Sequence, residues 1–247
     1  MGYEWAFDIA KLGAFIACAY AIFRAYARHW PAPWSRRRLA VLGVLTLTVV
    51  GTKVIEDVLA KESGPVDEAL LWFVRAHVPA VLDGFFAFVT LSGSAAFLAP
   101  VAVAGTLVLL WARRRPEAWL LGSSAIAAAL LGWAVKAVVG RARPALWEAP
   151  WYWGSSFPSG HALNTAALST AAALCVMRIW PRAGTLPMAL AATWTVLVAL
   201  SRLVIGVHWP SDVLAAICLG AFIPLAISVV FTGRVPAVHD KRPDVMP

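Results

Sequence analysis

Residues 118–139 read AWLLGSSAIAAALLGWAVKAVV, and the single charge in this run, Lys136, stands near its end. As a helix with a rise of about 1.5 Å per residue, the run is long enough to cross a hydrocarbon core of about 30 Å. Its apolar residues do not alternate with polar ones, as they would in a strand of a membrane barrel. The run therefore predicts a membrane-spanning α-helix.

The whole chain has the same character, since 61% of its residues are hydrophobic and only 14% are charged. A soluble domain carries about 25% charged residues. In lipid, backbone polar groups are satisfied only within helices or closed barrels. We therefore predict an all-α fold, a polytopic membrane helical bundle with six core spans, of which the other five are Leu39–Leu59, Phe85–Trp111, Ala162–Ile179, Leu186–Leu203 and Val213–Phe231.

A further apolar stretch, Trp5–Tyr26, is interrupted by Asp8 and Lys11. We predict an extra N-terminal membrane helix there, and a helix lying in the interface is the alternative. The predicted organisation is an N-terminal membrane or interfacial helix in residues 1–30, a six-helix domain in 31–232 and a polar tail in 233–247.

Positive charge is distributed unevenly about these spans, and the net charge is +8. In an up-and-down threading, most basic residues fall in loops on one side of the membrane, which predicts that this side is cytoplasmic and includes the tail. The charge is thereby accounted for without a nucleic-acid partner. These basic residues are Arg24, Arg28, Arg36, Arg37, Arg38, Arg113, Arg114, Arg115, Arg178, Arg182, Arg234, Lys241 and Arg242.

Two loops are predicted on the opposite side. The first contains Val66–Arg75, an amphipathic stretch that could lie flat on the bilayer. The second carries Arg141, which we interpret as interfacial, and a cluster of aromatic residues. Aromatic residues at this depth are typical of the interface belt, and gripping a lipid chain is the alternative; they are Trp147, Trp151, Tyr152 and Trp153.

Two smaller groups of residues have ordinary structural interpretations. Lys53 precedes Glu56 and Asp57 by about one helical turn, which predicts ion pairs within the helix, with a lipid head-group contact as the alternative. The three cysteines lie apart in apolar runs without metal-site spacing, so we interpret them as packing residues; they are Cys18, Cys175 and Cys218.

Three cations stand at predicted helix ends on the outer side: Lys136, Arg143 and Arg202. Unpaired charge at the lipid boundary is unfavourable, and the sequence offers no matching cluster of carboxylates there. Together the cations indicate an anion that arrives from outside. Arginine offers a planar fork for phosphate oxygens and lysine a point charge.

The same side carries Pro158, Ser159, Gly160 and His161 at the start of a predicted helix. A serine can cap such a start, a glycine allows close approach of a ligand, and the free amides favour phosphate. His161 is suited to donating a proton to a leaving oxygen.

His208 and Asp212 are four residues apart, around Pro210 at the predicted start of the last helix. The carboxylate can reach back to one imidazole nitrogen and fix its tautomer, which leaves the other nitrogen free to attack. Two histidines beside cations on one side of the membrane indicate catalysis.

These three clusters resemble the signature of the type-2 phosphatidic acid phosphatase superfamily, whose fixed positions are all present here in order and spacing. They are Lys136, Arg143 and Pro144, then Pro158, Ser159, Gly160 and His161, then Ser201, Arg202, His208 and Asp212. The resemblance implies that Lys136, Arg143, Ser159, Gly160 and Arg202 bind phosphate. It further implies that His208 forms a phosphohistidine, Asp212 orients it and His161 protonates the leaving group, without a metal or other cofactor.

The function that the resemblance implies is hydrolysis of a lipid phosphate on the outer face of a bacterial-type inner membrane. Candidate substrates are undecaprenyl diphosphate, phosphatidic acid, phosphatidylglycerol phosphate and lipid A 1-phosphate, which the motifs do not separate. Transfer of the phosphate to another lipid is the alternative enzyme class, and a transporter or lipid-binding protein is the non-enzyme alternative. The related vanadium haloperoxidases are soluble, so six spans argue against that activity.

Overall fold

The computed structural model describes residues 38–149 and 152–231, together with Gly13, Ala17, Tyr20 and Ala21. The predicted N-terminal helix, apart from those four residues, and the predicted polar tail lie outside the described residues. The described chain contains helices and loops without a strand, which confirms the all-α prediction. Its helices are α1 (Arg38–Leu59), α2 (Gly64–His77), α3 (Asp83–Ser92), α4 (Ala95–Trp111), α5 (Arg115–Val139), α6 (Gly160–Ile179), α7 (Leu186–Val204) and α8 (Pro210–Phe231).

The predicted span Phe85–Trp111 is wrong as a single helix, because the chain breaks between α3 and α4. Ser94 starts the new helix, since its hydroxyl accepts a hydrogen bond from the amide of Phe97 at 3.3 Å. At Gly93 an added Cβ would lie 2.4 Å from Cγ1 of Val198 on α7. The break therefore permits a close tertiary contact that the apolar pattern could not disclose.

The protein is an integral membrane protein. Within the described residues, four helices, α5 to α8, are long and apolar enough to cross a membrane. Helices α2 and α3, with the 3-10 turn Ala80–Leu82 between them, form a pair bent by 92° that could supply a fifth span. Helix α4 is apolar but shorter. The number of six spans stays a prediction.

Helix α6 lies at the centre of the bundle and packs against α5, α7 and α8. Most of its side chains are small and fully covered by these neighbours, including Ala162, Ala166, Ala167 and Ala171. Small side chains let helix backbones approach closely, which is how membrane helices gain packing contacts without a hydrophobic driving force between them. The central helix therefore fixes the positions of the helices around it.

The closest approach in this packing is at Gly220 on α8, where an added Cβ would lie 2.4 Å from the carbonyl oxygen of Leu163. We expect Gly220→Ala to lower the stability of the protein by about 1–3 kcal/mol, the usual effect of overpacking. Gly43→Ala on α1 is the matched control, because its Cβ would lie 3.5 Å from the nearest atom, an ordinary contact. Thermal unfolding in detergent measures both, and equal Tm values for the two variants would contradict the prediction.

Candidate active site

The predicted site residues meet at one end of the bundle. Lys136 lies in the last turn of α5 and Arg202 in the last turn of α7, while His161 lies in the first turn of α6. His208 lies in the loop before α8, and Asp212 in the first turn of that helix. Antiparallel neighbours bring the end of one helix beside the start of the next, so residues far apart in sequence share this end.

Arg143 contacts the His208 loop directly. Its Nη1 donates to the carbonyl oxygen of Val207 at 2.8 Å and lies 3.3 Å from Nε2 of His208. A guanidinium group only donates hydrogen bonds, so this contact requires Nε2 to be unprotonated. The ring proton of a neutral His208 then resides on Nδ1, and Nε2 carries the free electron pair.

Asp212 lies on the other side of the imidazole, as its spacing predicted. Its Oδ2 is 3.5 Å from Nδ1 of His208, a close contact that is longer than a good hydrogen bond. The same Oδ2 accepts a hydrogen bond from the amide of Trp209 at 2.9 Å. Both acidic oxygens are fully buried, so the carboxylate faces the Nδ1 proton of the ring.

Burial determines the charge of His208. Desolvation lowers the pKa of the imidazole to about 4, and the positive charges of Arg202 and Arg143 lower it further, while Asp212 opposes them. The free amino acid side chain has a pKa of about 6.5. His208 is therefore neutral at pH 7, which is the form that can act as a nucleophile.

Arg202 is fully buried, and its Nη1 donates to Oγ1 of Thr90 on α3 at 2.6 Å. The ring of Tyr152 lies 4.8 Å from the guanidinium carbon of Arg202 and 5.4 Å from that of Arg143. Tyr152 therefore contacts two residues of the site, a role that its interpretation as an interface-belt residue did not include. The negative face of an aromatic ring stabilises the two like charges that it touches.

Ser159 precedes α6. The sequence predicts that its side chain caps this helix, but the side chain makes no capping hydrogen bond. Its amide donates to the carbonyl oxygen of Asp212 at 3.2 Å, which ties the start of α6 to that of α8. Its fully buried hydroxyl has no hydrogen-bond partner among the described residues. Gly160 is open, because the nearest atom to an added Cβ would be Cε of Lys136 at 3.9 Å.

Lys136 and His161 complete the group. The ammonium of Lys136 donates to the carbonyl oxygen of Ser155 at 2.6 Å. The charges of Lys136, Arg143, Arg202 and His208 all act on His161. Thus each residue that the motifs singled out lies at this end of the bundle, and the two histidines stand within one group of three cations.

The sequence interpretation missed two residues of this region, Asp67 and Arg141. The prediction that Arg141 is interfacial did not include its partners: its guanidinium joins Asp67 at 2.7 Å and Asp212 at 2.6 Å. Asp67 belongs to the stretch predicted to lie flat on the bilayer, yet its side chain is only 3% exposed. The two residues lie in separate predicted loops, and no sequence signal indicates that such opposite charges pair.

Two smaller expectations, the ion pairs of Lys53 and the packing role of the cysteines, also have an outcome. The intrahelical ion pairs are confirmed, since Nζ of Lys53 lies 2.7 Å from Asp57 and 3.9 Å from Glu56. Across the described part of the chain, no three His, Cys, Asp or Glu side chains are grouped so that they could hold a metal ion. Cys175 and Cys218 are free and buried, as packing residues would be.

The fold and this site define an integral membrane helical bundle with a cationic, two-histidine site at one end. A family model described as the PAP2 superfamily matches residues 117–236. Undecaprenyl-diphosphatase from Sulfolobus acidocaldarius is 31% identical over 171 residues, which are 65% of this chain and 76% of that protein. The chain belongs to the PAP2 superfamily, which confirms the resemblance that the three motifs carried.

Two further similarities support narrower conclusions, one over a short segment and one for the fold. Phosphatidylglycerophosphatase B from Escherichia coli is 43% identical over 63 residues, so the match spans only 24% of that protein's length. The crystal structure of a transmembrane PAP2 type phosphatidylglycerolphosphate phosphatase from Bacillus subtilis matches with a TM-score of 0.70. It covers 79% of this chain and 98% of the other at 22% identity, a likeness that concerns the fold alone.

Proposed function

We propose that this chain is a lipid phosphatase or diphosphatase in which His208 is the nucleophile and His161 the general acid. The observation that carries the proposal is a set of buried hydrogen-bond donors beside the nucleophile candidate. Nε of Arg143, Nε of Arg202 and Oγ of Ser159 have no partner within the described residues. Buried donors without partners are unfavourable, and a phosphoryl group offers the acceptor oxygens that would satisfy all three.

The first half of the proposed reaction is attack by Nε2 of His208 on phosphorus. The new N–P bond forms as the bond between phosphorus and the leaving oxygen breaks, and His161 gives its proton to that oxygen. Nη1 of Arg143 is 3.3 Å from Nε2. In the proposed step it transfers its hydrogen bond from Nε2 to a phosphoryl oxygen, which frees the electron pair of Nε2 for attack. Asp212, facing Nδ1, stabilises the positive charge that the ring acquires.

In the second half, His161 takes a proton from water as the water oxygen attacks the phosphohistidine. The N–P bond breaks, inorganic phosphate leaves, and both histidines return to their starting states. Phosphoryl transfer needs mainly positioning and neutralisation of charge. Lys136, Arg143, Arg202 and the start of α6 supply positive potential here, so we propose that the reaction needs no metal ion.

We place the site on the outer face of a bacterial-type inner membrane. Arginines at the opposite end of the bundle support this orientation, because cytoplasmic loops are rich in basic residues. Arg113 and Arg114 lie between α4 and α5, and Arg182 lies between α6 and α7, and all three are exposed. The substrate would therefore present its phosphate from the outer leaflet.

The relatives support a lipid as the substrate, since the Sulfolobus protein is named for undecaprenyl diphosphate and the Escherichia coli protein for phosphatidylglycerophosphate. The experiment is release of inorganic phosphate by purified protein in detergent from a panel of undecaprenyl diphosphate, phosphatidic acid, phosphatidylglycerol phosphate and lipid A. Release from none of them would overturn the proposal. Labelled phosphate that appears on an acceptor lipid instead of in solution would assign phosphotransfer.

The same assay tests the metal-free mechanism. We expect orthovanadate to inhibit, because it adopts the five-coordinate geometry of phosphorus during transfer, and we expect EDTA to leave the rate within about twofold of the untreated rate, since cations of the chain supply the charge. Mg²⁺ added after EDTA is the control for a non-specific effect of the chelator. Loss of activity in EDTA that Mg²⁺ restores would contradict metal independence.

A further inference from the structure

Arg141 is held between two carboxylates on different helices. Its Nη1 lies 2.6 Å from Oδ1 of Asp212, and its Nη2 lies 2.7 Å from Oδ2 of Asp67. Nη1 also donates to the hydroxyl of Ser211 at 2.8 Å, and Nη2 to that of Ser63 at 3.1 Å. Four acceptors thus fix the orientation of the guanidinium plane.

Asp67 is fixed in turn by the start of α8. Its Oδ1 accepts from the amide of Ser211 at 2.8 Å, and its Oδ2 accepts from the Ser211 hydroxyl at 2.6 Å. Its side chain is 3% exposed, and that of Arg141 is 17% exposed. The ions are therefore little screened by water, and their geometry is restricted by several hydrogen bonds at once.

We infer that the Asp67–Arg141 pair is a positioning device for the catalytic carboxylate: it holds Asp212 in the rotamer in which Oδ2 faces Nδ1 of His208. This role rests on the proposed phosphatase function. Neither residue is in the set that we propose binds the phosphoryl group; both act through Asp212.

The positioning argument follows from how the two oxygens of Asp212 are used. Oδ1 binds Arg141, while Oδ2 accepts from the amide of Trp209 and faces Nδ1 of His208. Rotation of the carboxylate would break the Arg141 contact. Because the Nδ1–Oδ2 distance is already 3.5 Å, a small rotation away from the ring would end the interaction that stabilises the charged imidazole in the transition state.

The orientation of Asp212 also affects the pKa of His208. The groups that act on His208 are Asp212 on its own loop and helix, Arg143 before α6, Arg202 on α7 and His161 on α6. Of these, only Asp212 favours a protonated ring. Rotation of the carboxylate away from the ring would remove that interaction, so loss of Arg141 should lower the pKa of His208.

The test uses Asp67→Asn, Arg141→Gln and the double variant, each assayed for phosphate release from the lipid that the wild type hydrolyses best. Asparagine preserves the shape of Asp67 and its acceptor for Ser211. Glu68→Gln is the matched control, because it removes one negative charge from the neighbouring, exposed position of the same helix. For each variant, kcat, KM, the pH dependence of kcat/KM and the Tm in detergent are measured.

We expect kcat to fall about 10-fold in Asp67→Asn and up to about 100-fold in Arg141→Gln, the range for residues that orient a catalytic group. KM should stay within about twofold, and Glu68→Gln should match the wild type. The double variant should be no slower than Arg141→Gln, since both residues act through one carboxylate. The acid limb of the pH profile should move to lower pH in Arg141→Gln, because Asp212 no longer favours the protonated ring. Wild type and variant are compared on the same lipid, so titration of the substrate affects both profiles equally.

Several outcomes would overturn this role. An unchanged kcat, an unshifted acid limb, or a lower Tm without a kinetic effect would leave the pair as a purely structural link between α2 and α8. A raised KM at unchanged kcat would make Arg141 a substrate-binding residue. A wild-type protein that releases no phosphate would overturn the proposed function and this role with it, whereas an active wild type with unaffected variants overturns this role alone.

Discussion

Phosphate release by His208→Ala is expected to be lower than that of the wild type by a factor of at least about 10⁴, the scale on which removal of a nucleophile acts. The imidazole is 3% exposed and stands between Arg143 and Asp212, with Nε2 unprotonated. His161 is a second imidazole in this group of cations, but Nε2 of His208 is the nitrogen that contacts Arg143, at 3.3 Å. The loss should be equal for every lipid in the panel, because the phosphoryl group is common to all.

The same variant tests the covalent intermediate. Wild-type protein mixed briefly with phosphate-labelled lipid and quenched in alkali should carry label, since a phosphohistidine survives alkali and decays in acid, and His208→Ala should carry none. His77→Ala is the matched control, because His77 is an exposed histidine on α2. Activity above about 1% of the wild type, with a Tm equal to that of the control, would remove His208 as the nucleophile.

Asp212→Asn is expected to lower kcat by about 10³- to 10⁴-fold, as loss of the orienting carboxylate does in other histidine-dependent sites. Oδ1 accepts from Arg141 and Oδ2 accepts from the amide of Trp209 while it faces Nδ1. The amide nitrogen of asparagine must replace one of these oxygens, so it places a donor against a donor. The ring then loses the partner that holds its proton on Nδ1.

The measurement for Asp212→Asn is kcat at saturating lipid, with Tm in detergent as a check on folding. Asp83→Asn is the matched control, since Asp83 begins α3 and is exposed. A decrease of less than tenfold in a folded variant would mean that the ring keeps its tautomer without the carboxylate, and Asp212 would then have no orienting role.

The site could be predicted from the sequence because its parts are carried by helix ends. The lengths of the apolar runs determine which helix ends share one side of the membrane. They therefore place Lys136, His161 and Arg202 on the same side, although these residues lie far apart in the sequence. Charge and residue type then indicated an anion. Prediction succeeded where local sequence and the thickness of a bilayer determine the position of a residue.

The features that escaped prediction depend on tertiary contacts. At the break between α3 and α4, Gly93 lies so close to α7 that a side chain there would overlap Val198, and the apolar run gives no sign of this contact. Asp67 and Arg141 pair across 74 residues, and each looked like an ordinary charge at a membrane surface. The sequence gives no sign that Tyr152 contacts Arg143 and Arg202, because that contact depends on the tertiary fold.

The burial of α6 has a consequence for substrate selection. Since the helix is enclosed by its neighbours and its start is hydrogen-bonded to that of α8, we expect the start of α6 to keep its position whichever lipid head group is bound. Selection among lipids would then fall to the residues of the neighbouring segments 61–83, 140–149 and 152–158 other than the site residues Asp67, Arg141 and Arg143. Exchanging those residues between relatives should move substrate preference while leaving the chemistry in place.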